Sequence, residues 1–115
     1  MIYFECVFDK PIFEKAIAKW GGKAQTVVAI EEMAELTHEL TRSLRGEDRH
    51  DQLVEELADV YIMLNQIEMI YDIKGGELKA MVRKKTDRLD ERLKGIRRGP
   101  GNVEGLEDED VRESE

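Results

Sequence analysis

Five carboxylates in this chain stand at spacings that could hold a divalent cation: Glu31, Glu32 and Glu35 in one segment, Glu56 and Asp59 in the next. Steps of three residues put side chains on one face of an α-helix. At about 100° per residue, Glu56 points into the apolar face that Leu53, Leu57, Val60, Met63, Leu64, Ile67, Ile70 and Tyr71 would build, with Asp59 on its edge. The earlier segment repeats the arrangement. Its main apolar stripe is Ala29, Met33, Leu36, Leu40 and Leu44, while Val27, Val28, Ile30 and Ala34 make its first half apolar nearly all round. Glu32 falls between the directions of Val28 and Leu36, Glu35 is its partner three residues on, and Glu31 lies beyond Glu35. A single Glu-x-x-Glu pair recurs by chance, and a charged helix face is usually just solvated. Two such pairs on apolar surfaces of neighbouring helices carry more weight, because four carboxylates converging between helices repel strongly unless cations hold them. An all-oxygen donor set suits Mg²⁺ or Mn²⁺ rather than zinc, and magnesium that keeps part of its water most naturally meets a phosphate substrate.

The elements that must position these residues are marked by their breakers. Pro11 suits the first turn of a helix running to Trp20, which Gly21-Gly22 interrupts. A second helix is expected from Lys23 to Leu44, stopped by Gly46. The polar stretch Gly46 to Asp51 reads as a short connection, with Asp48 or Asp51 as N-cap of a third helix that continues to Asp72. So short a loop makes the two long helices antiparallel neighbours. Gly75-Gly76 sets off a fourth helix, Glu77 to Lys94. The expected organisation is an N-terminal arm or short strand over 1–9, a helical domain over 10–98 and a flexible acidic tail over 99–115.

Composition narrows the class. With 115 residues, 41% hydrophobic, 38% charged and 6% aromatic, the chain reads as one small helical domain. The longest apolar run, Val60 to Leu64, falls far short of the ~20 residues of a membrane span, and no signal pattern opens the chain, so a cytoplasmic protein without membrane contact is expected. Cys6 stands alone, which excludes an internal disulfide and a Cys-rich zinc site. Of the net charge of −8, residues 104–115 carry −6. Within the body, residues 31–59 hold ten acids and three bases, and residues 79–98 nine bases and three acids. The acidic centre and tail make a nucleic-acid polymer a poor partner.

The run Ile30-Glu31-Glu32-Met33-Ala34-Glu35-Leu36, followed by Glu56-Leu57-Ala58-Asp59-Val60, resembles the double acidic signature of MazG-like nucleoside triphosphate pyrophosphohydrolases, the all-α NTP pyrophosphatase superfamily. Trp20-Gly21 leading to Gln25, and Lys85, Arg88 and Arg92 near the end, are similar as well; the likeness covers residues 13 to 94. It implies an all-α, antiparallel four-helix bundle completed by oligomerisation, as a homodimer or homotetramer. It also implies magnesium-dependent hydrolysis of a nucleoside or deoxynucleoside triphosphate to the monophosphate and pyrophosphate. Carried over residue by residue, Glu32, Glu35, Glu56 and Asp59 would bind metal, and Glu31 would support them or orient the attacking water. Lys85, Arg88 and Arg92, which share a helix face by their spacing, would meet the phosphates, and Gln25 and Trp20 would bind substrate.

Two other chemistries compete. Glu35-Leu36-Thr37-His38 is a Glu-x-x-His unit of the kind used in di-iron bundles, but that architecture needs two, and Asp59 stands where the second His should be. The alternative outside enzymology is a helical interaction or regulatory module whose carboxylates pair with a basic partner.

Overall fold

The computed structural model describes residues 9–95. The expected N-terminal arm, Cys6 and the acidic tail lie outside the described residues, apart from Asp9. Four helices follow one another: α1 (Lys10–Trp20), α2 (Gly22–Leu44), α3 (His50–Ile70) and α4 (Gly75–Leu93). No strand occurs among the described residues, and no helix is long and apolar enough to cross a membrane. The described residues divide into two compact units, with the boundary between Lys74 and Gly75.

In the first unit each boundary has a local cause. The Asp9 carboxylate accepts a hydrogen bond from the Ile12 N–H at 3.2 Å, and Pro11 occupies the first turn, where its missing N–H costs nothing. Gly21, at φ 92°, turns the chain between α1 and α2, and its N–H closes α1 on the Ile17 carbonyl. Gly22 is helical rather than part of the break. A Cβ there would stand 3.0 Å from Ile70 Cγ2, so the glycine lets the start of α2 approach the end of α3. At the far end Gly46 adopts φ 88°, its N–H bonds to Ser43 O, and the Glu47 N–H reaches Arg42 O. That double closure is a Schellman motif.

The start of α3 departs from expectation. Neither Asp48 nor Asp51 caps it; Arg49 holds the cap position without a side-chain bond, and His50, expected in the loop, opens the helix. The physical reason lies across the hairpin. The Arg49 guanidinium donates to both oxygens of Glu39, at 2.8 and 3.1 Å, so the turn is shaped around this ion pair, while Asp51 still places negative charge in the first turn.

Early residues of α2 meet late residues of α3, which makes the pair antiparallel: Gln25 Nε2 donates to Gln66 Oε1 at 2.7 Å, and Glu39 meets Arg49 at the opposite end. Thr26 spends its hydroxyl proton on Gly22 O, so Tyr71 Oη donates to Thr26 Oγ1 at 3.1 Å. The α1 helix packs on both long helices. Phe13, Ala29, Val60 and Met63 are the buried apolar side chains, and Gln25, Glu39 and Gln66 are buried beside them. The apolar residues expected on each long helix point two ways. Ala29 and Leu36 of α2, with Leu53, Val60, Met63, Ile67 and Ile70 of α3, turn inward or lie half-buried, whereas Met33, Leu40, Leu44, Leu57, Leu64 and Tyr71 are exposed.

In the second unit α4 starts at Gly75 and carries Leu78, Met81, Val82, Leu89 and Leu93 exposed.

The Gln25–Gln66 amide pair is buried, so removing one partner leaves the other unsatisfied. Gln66→Ala is expected to destabilise the fold by about 1–3 kcal/mol in urea unfolding, whereas replacing both glutamines by leucine costs much less. Equal losses in the two variants would show that the bond contributes no more than its packing.

Candidate metal centre

Between the two specific contacts that close the hairpin, the α2–α3 seam is lined by acids. Glu32 hydrogen-bonds Asp59 and Glu56 hydrogen-bonds Glu35, each across the seam. These two pairs and the Gln25–Gln66 pair follow one register: steps of seven and then three residues along α2 match the same steps backwards along α3. Side chains at those steps fall on one face of each helix, so the antiparallel pairing alone brings the four carboxylates together. Ligand oxygens of Glu32, Glu35 and Glu56 all lie within 4.8 Å of one another, and Asp59 joins through Glu32.

Electrostatics follow from that crowding. Glu56 is pushed up to about 7, first by its removal from water, then by its bond to Glu35 and the charges of Glu35, Asp59 and Glu32. Glu32 is raised for the same reasons, with desolvation again first and Asp59 the main neighbour. Glu32 and Glu56 therefore hold a proton more tightly than an ordinary carboxyl, each facing an acid across the seam. Glu32 Oε2 and Glu56 Oε2 are buried with no hydrogen-bond partner. Buried oxygen lone pairs without a donor are what a hard cation would satisfy, and the donors present are all carboxylate oxygens. The residues therefore fit Mg²⁺ or Mn²⁺.

Glu31 is exposed on α2, and its charge is the last of the contributions acting on Glu32. His38 is exposed and stands outside the three-glutamate group, so the Glu-x-x-His unit does not form part of this oxygen cluster. Gln25 is buried and its amide is engaged by Gln66; at ~1.5 Å per residue it stands about 10 Å along α2 from Glu32. Trp20 ends α1 with 59% of its surface exposed, and Lys19 Nζ lies 5.5 Å from its ring centroid. Lys85, Arg88 and Arg92 lie on α4, with Lys85 exposed and the two arginines half-buried.

Glu39 and Gln66 escaped notice at the level of sequence. Glu39 follows Glu32 by seven residues and Leu36 by three, so its inward direction was readable from spacing; its partner Arg49 was not. The Arg49 charge holds the Glu39 carboxyl below the usual range.

Comparison with protein-family models, with curated proteins and with solved structures finds no match to this chain.

The raised acids fix a pH dependence. The folded chain holds a proton on Glu56 up to about 7, whereas its ordinary value is 4.5, so between these values the folded state binds more protons than the unfolded one. Stability of the metal-free protein then falls as pH rises through that window. The lowered Glu39 acts in the opposite sense and below 4.5, where its contribution is lost on acidification. Thermal unfolding in EDTA is expected to give a Tm that declines from about pH 5 to about pH 8. Added Mg²⁺ should raise Tm more at the alkaline end, where no proton competes, and Glu56→Gln should flatten the decline. A metal-free Tm indifferent to pH would contradict the retention of that proton.

Proposed function

We propose that the chain is a metal-dependent hydrolase of the MazG-like kind, cutting nucleoside or deoxynucleoside triphosphates to the monophosphate and pyrophosphate. One observation carries the reading: carboxylates at the double acidic motif converge from two helices and leave two buried oxygens without a partner. Bound magnesium would neutralise phosphate oxygens and make water more acidic. The chain's own part is to hold that charge in place. Glu32, Glu35, Glu56 and Asp59 present oxygens from two rigid helices rather than from loops, which keeps their spacing fixed. Glu31, at the exposed edge of the cluster, is suited to orient water or accept a proton from it. Lys85, Arg88 and Arg92 would supply the positive charge that the departing pyrophosphate requires, and Trp20, exposed at the end of α1, would contact the rest of the substrate, with Gln25 joining it only on release from Gln66.

The fuller fold of this reading is the antiparallel four-helix bundle of the NTP pyrophosphatase type, assembled as a homodimer or homotetramer. Such an enzyme would work in the cytoplasm without a membrane or a nucleic-acid partner. The interaction-module reading has one observation in its favour: Glu39 already pairs with an arginine in the manner such a module would use.

Incubation with each common NTP and dNTP plus Mg²⁺, resolved by phosphorus NMR, is expected to yield monophosphate and pyrophosphate and to stop on chelation. Glu32→Gln and Glu56→Gln should each abolish turnover with helical circular dichroism unchanged, because removing charge from a repulsive cluster does not cost folding. Diphosphate plus phosphate as products, or full activity in both variants, would refute the reading. Mg²⁺ that fails to promote binding of a non-hydrolysable triphosphate in calorimetry would favour the module.

A further inference from the structure

The helix α4 divides its charge by face. At about 100° per residue, Arg88, Arg92 and Lys85 fall side by side in angular order, and Leu78, Leu89 and Val82 continue the same face, so cations and apolar side chains share about a third of the circumference. Every acid of α4 lies outside that arc. Glu77 stands at its edge, and Asp87, Asp90 and Glu91 lie on the far side, where Asp90 already accepts Lys94 at 2.9 Å. A helix face that is merely solvated mixes both signs, as the far side does. The basic face is open to a partner: Leu78 is 39% exposed and Leu89 47%, with Lys85 exposed beside them. Among the described residues Lys85, Arg88 and Arg92 enter no ion pair, and Arg92 Nε is buried with no hydrogen-bond partner. A buried guanidinium N–H without an acceptor is a place for an anionic oxygen.

Such a face asks for a segment that is acidic and apolar at once, and the chain carries one. Residues 104–115, outside the described residues, hold seven acids against Arg112, with Leu106 and Val111 set among them. The way back to α4 is open in turn chemistry and in length. Gly95, at φ 78° and with its N–H on Arg92 O, closes the helix in the left-handed conformation. Gly99, Pro100 and Gly101 then supply turn residues before the acids begin. Lys85 to Arg92 spans roughly 10 Å at ~1.5 Å per residue, whereas residues 104–115, extended at ~3.3 Å each, reach about 40 Å. Attachment through so short a linker holds the acids beside the face at an effective concentration of order millimolar. Exposed ion pairs that are individually weak then suffice, where a separate acidic peptide would need tight binding.

We propose that residues 104–115 fold back onto α4 of their own chain, their carboxylates on Lys85, Arg88 and Arg92 and Leu106 and Val111 against the apolar residues of the face, and that free polyphosphate displaces them. The docking stands on α4 and the sequence. Its consequence rests on the proposed reaction, in which the same three cations meet the phosphates: a triphosphate then has to displace a built-in acidic competitor, which a monophosphate with fewer charges does poorly. The test needs neither magnesium nor nucleotide. In the full chain carrying Cys6→Ser, a nitroxide on Val111→Cys is expected to broaden the backbone amide NMR signals of α4 around Lys85 and Arg88 at low salt, and far less at ~0.5 M salt, where charges are screened beyond a few ångströms. Inorganic tripolyphosphate should reverse the broadening. Neutralising the segment with Glu107→Gln, Asp108→Asn, Glu109→Gln and Asp110→Asn should abolish it and tighten tripolyphosphate binding about tenfold, the gain when about nine-tenths of the unaltered chains have the face covered. Amides of α4 untouched by the label at low salt would overturn the proposal, as would tripolyphosphate affinity equal in the unaltered and neutralised chains. So would broadening found only between a spin-labelled chain and a second, isotope-labelled one, which would put the segment on another molecule. Turnover enters none of these readouts, so failure of the catalytic reading and failure of this one are told apart.

Discussion

Like charges facing one another across an antiparallel helix pair are the constraint around which this molecule is arranged. Left alone, Glu32, Glu35, Glu56 and Asp59 would push α2 and α3 apart, since Glu32, Glu56 and Asp59 are half-buried and have less solvent to screen them. Three features oppose that separation. The Glu39–Arg49 ion pair clasps the hairpin beside its turn, the Schellman closure at Gly46 sets the turn itself, and the Gln25–Gln66 amide bond holds the other side of the cluster. All are specific to one register. A slip of α3 along α2 by one helical turn would unpair both contacts and set the carboxylates against apolar neighbours. The polar seam therefore fixes which residues meet as well as holding the helices together.

The remaining repulsion is relieved by protons. Glu32 and Glu56 hold a proton to higher pH than an ordinary carboxyl, which lowers the charge facing the acids across the seam. A divalent cation would do the same work with fewer ligands lost to protonation, which couples cation affinity to pH and to folding stability. The site is thus strained in the metal-free state by the same arrangement that would make it bind, a trade often met at functional sites.

Much of this was legible in the sequence. Gly21, Gly46 and Pro11 marked the helix boundaries to within a residue or two, and three-residue spacing set Glu32 with Glu35 and Glu56 with Asp59 as pairs on neighbouring helices. What escaped was the choice among partners. A helical wheel gives a side chain's direction but not what stands opposite, so Asp48 and Asp51 looked like better caps than Arg49, whose role is set by Glu39 on the preceding helix. The same limit left open which of the apolar directions on each long helix meets the other helix. Leu53 and Leu57 are indistinguishable by hydropathy, yet one turns toward the seam and the other into the open.

That second direction links the two faces of the hairpin. The seam and the exposed apolar residues lie on the same two helices, so any partner that covers Leu57 and Ile30 also bears on the spacing between α2 and α3. Helices packed on several sides are held at distances set by side chains on all of those sides, and here α1 already braces both long helices from one of them. Carboxylate separation in the cluster depends on that spacing, and an oxygen cage for a small cation tolerates little drift. Covering the exposed apolar residues would therefore stiffen the acidic cluster, adding a brace to the one that α1 provides.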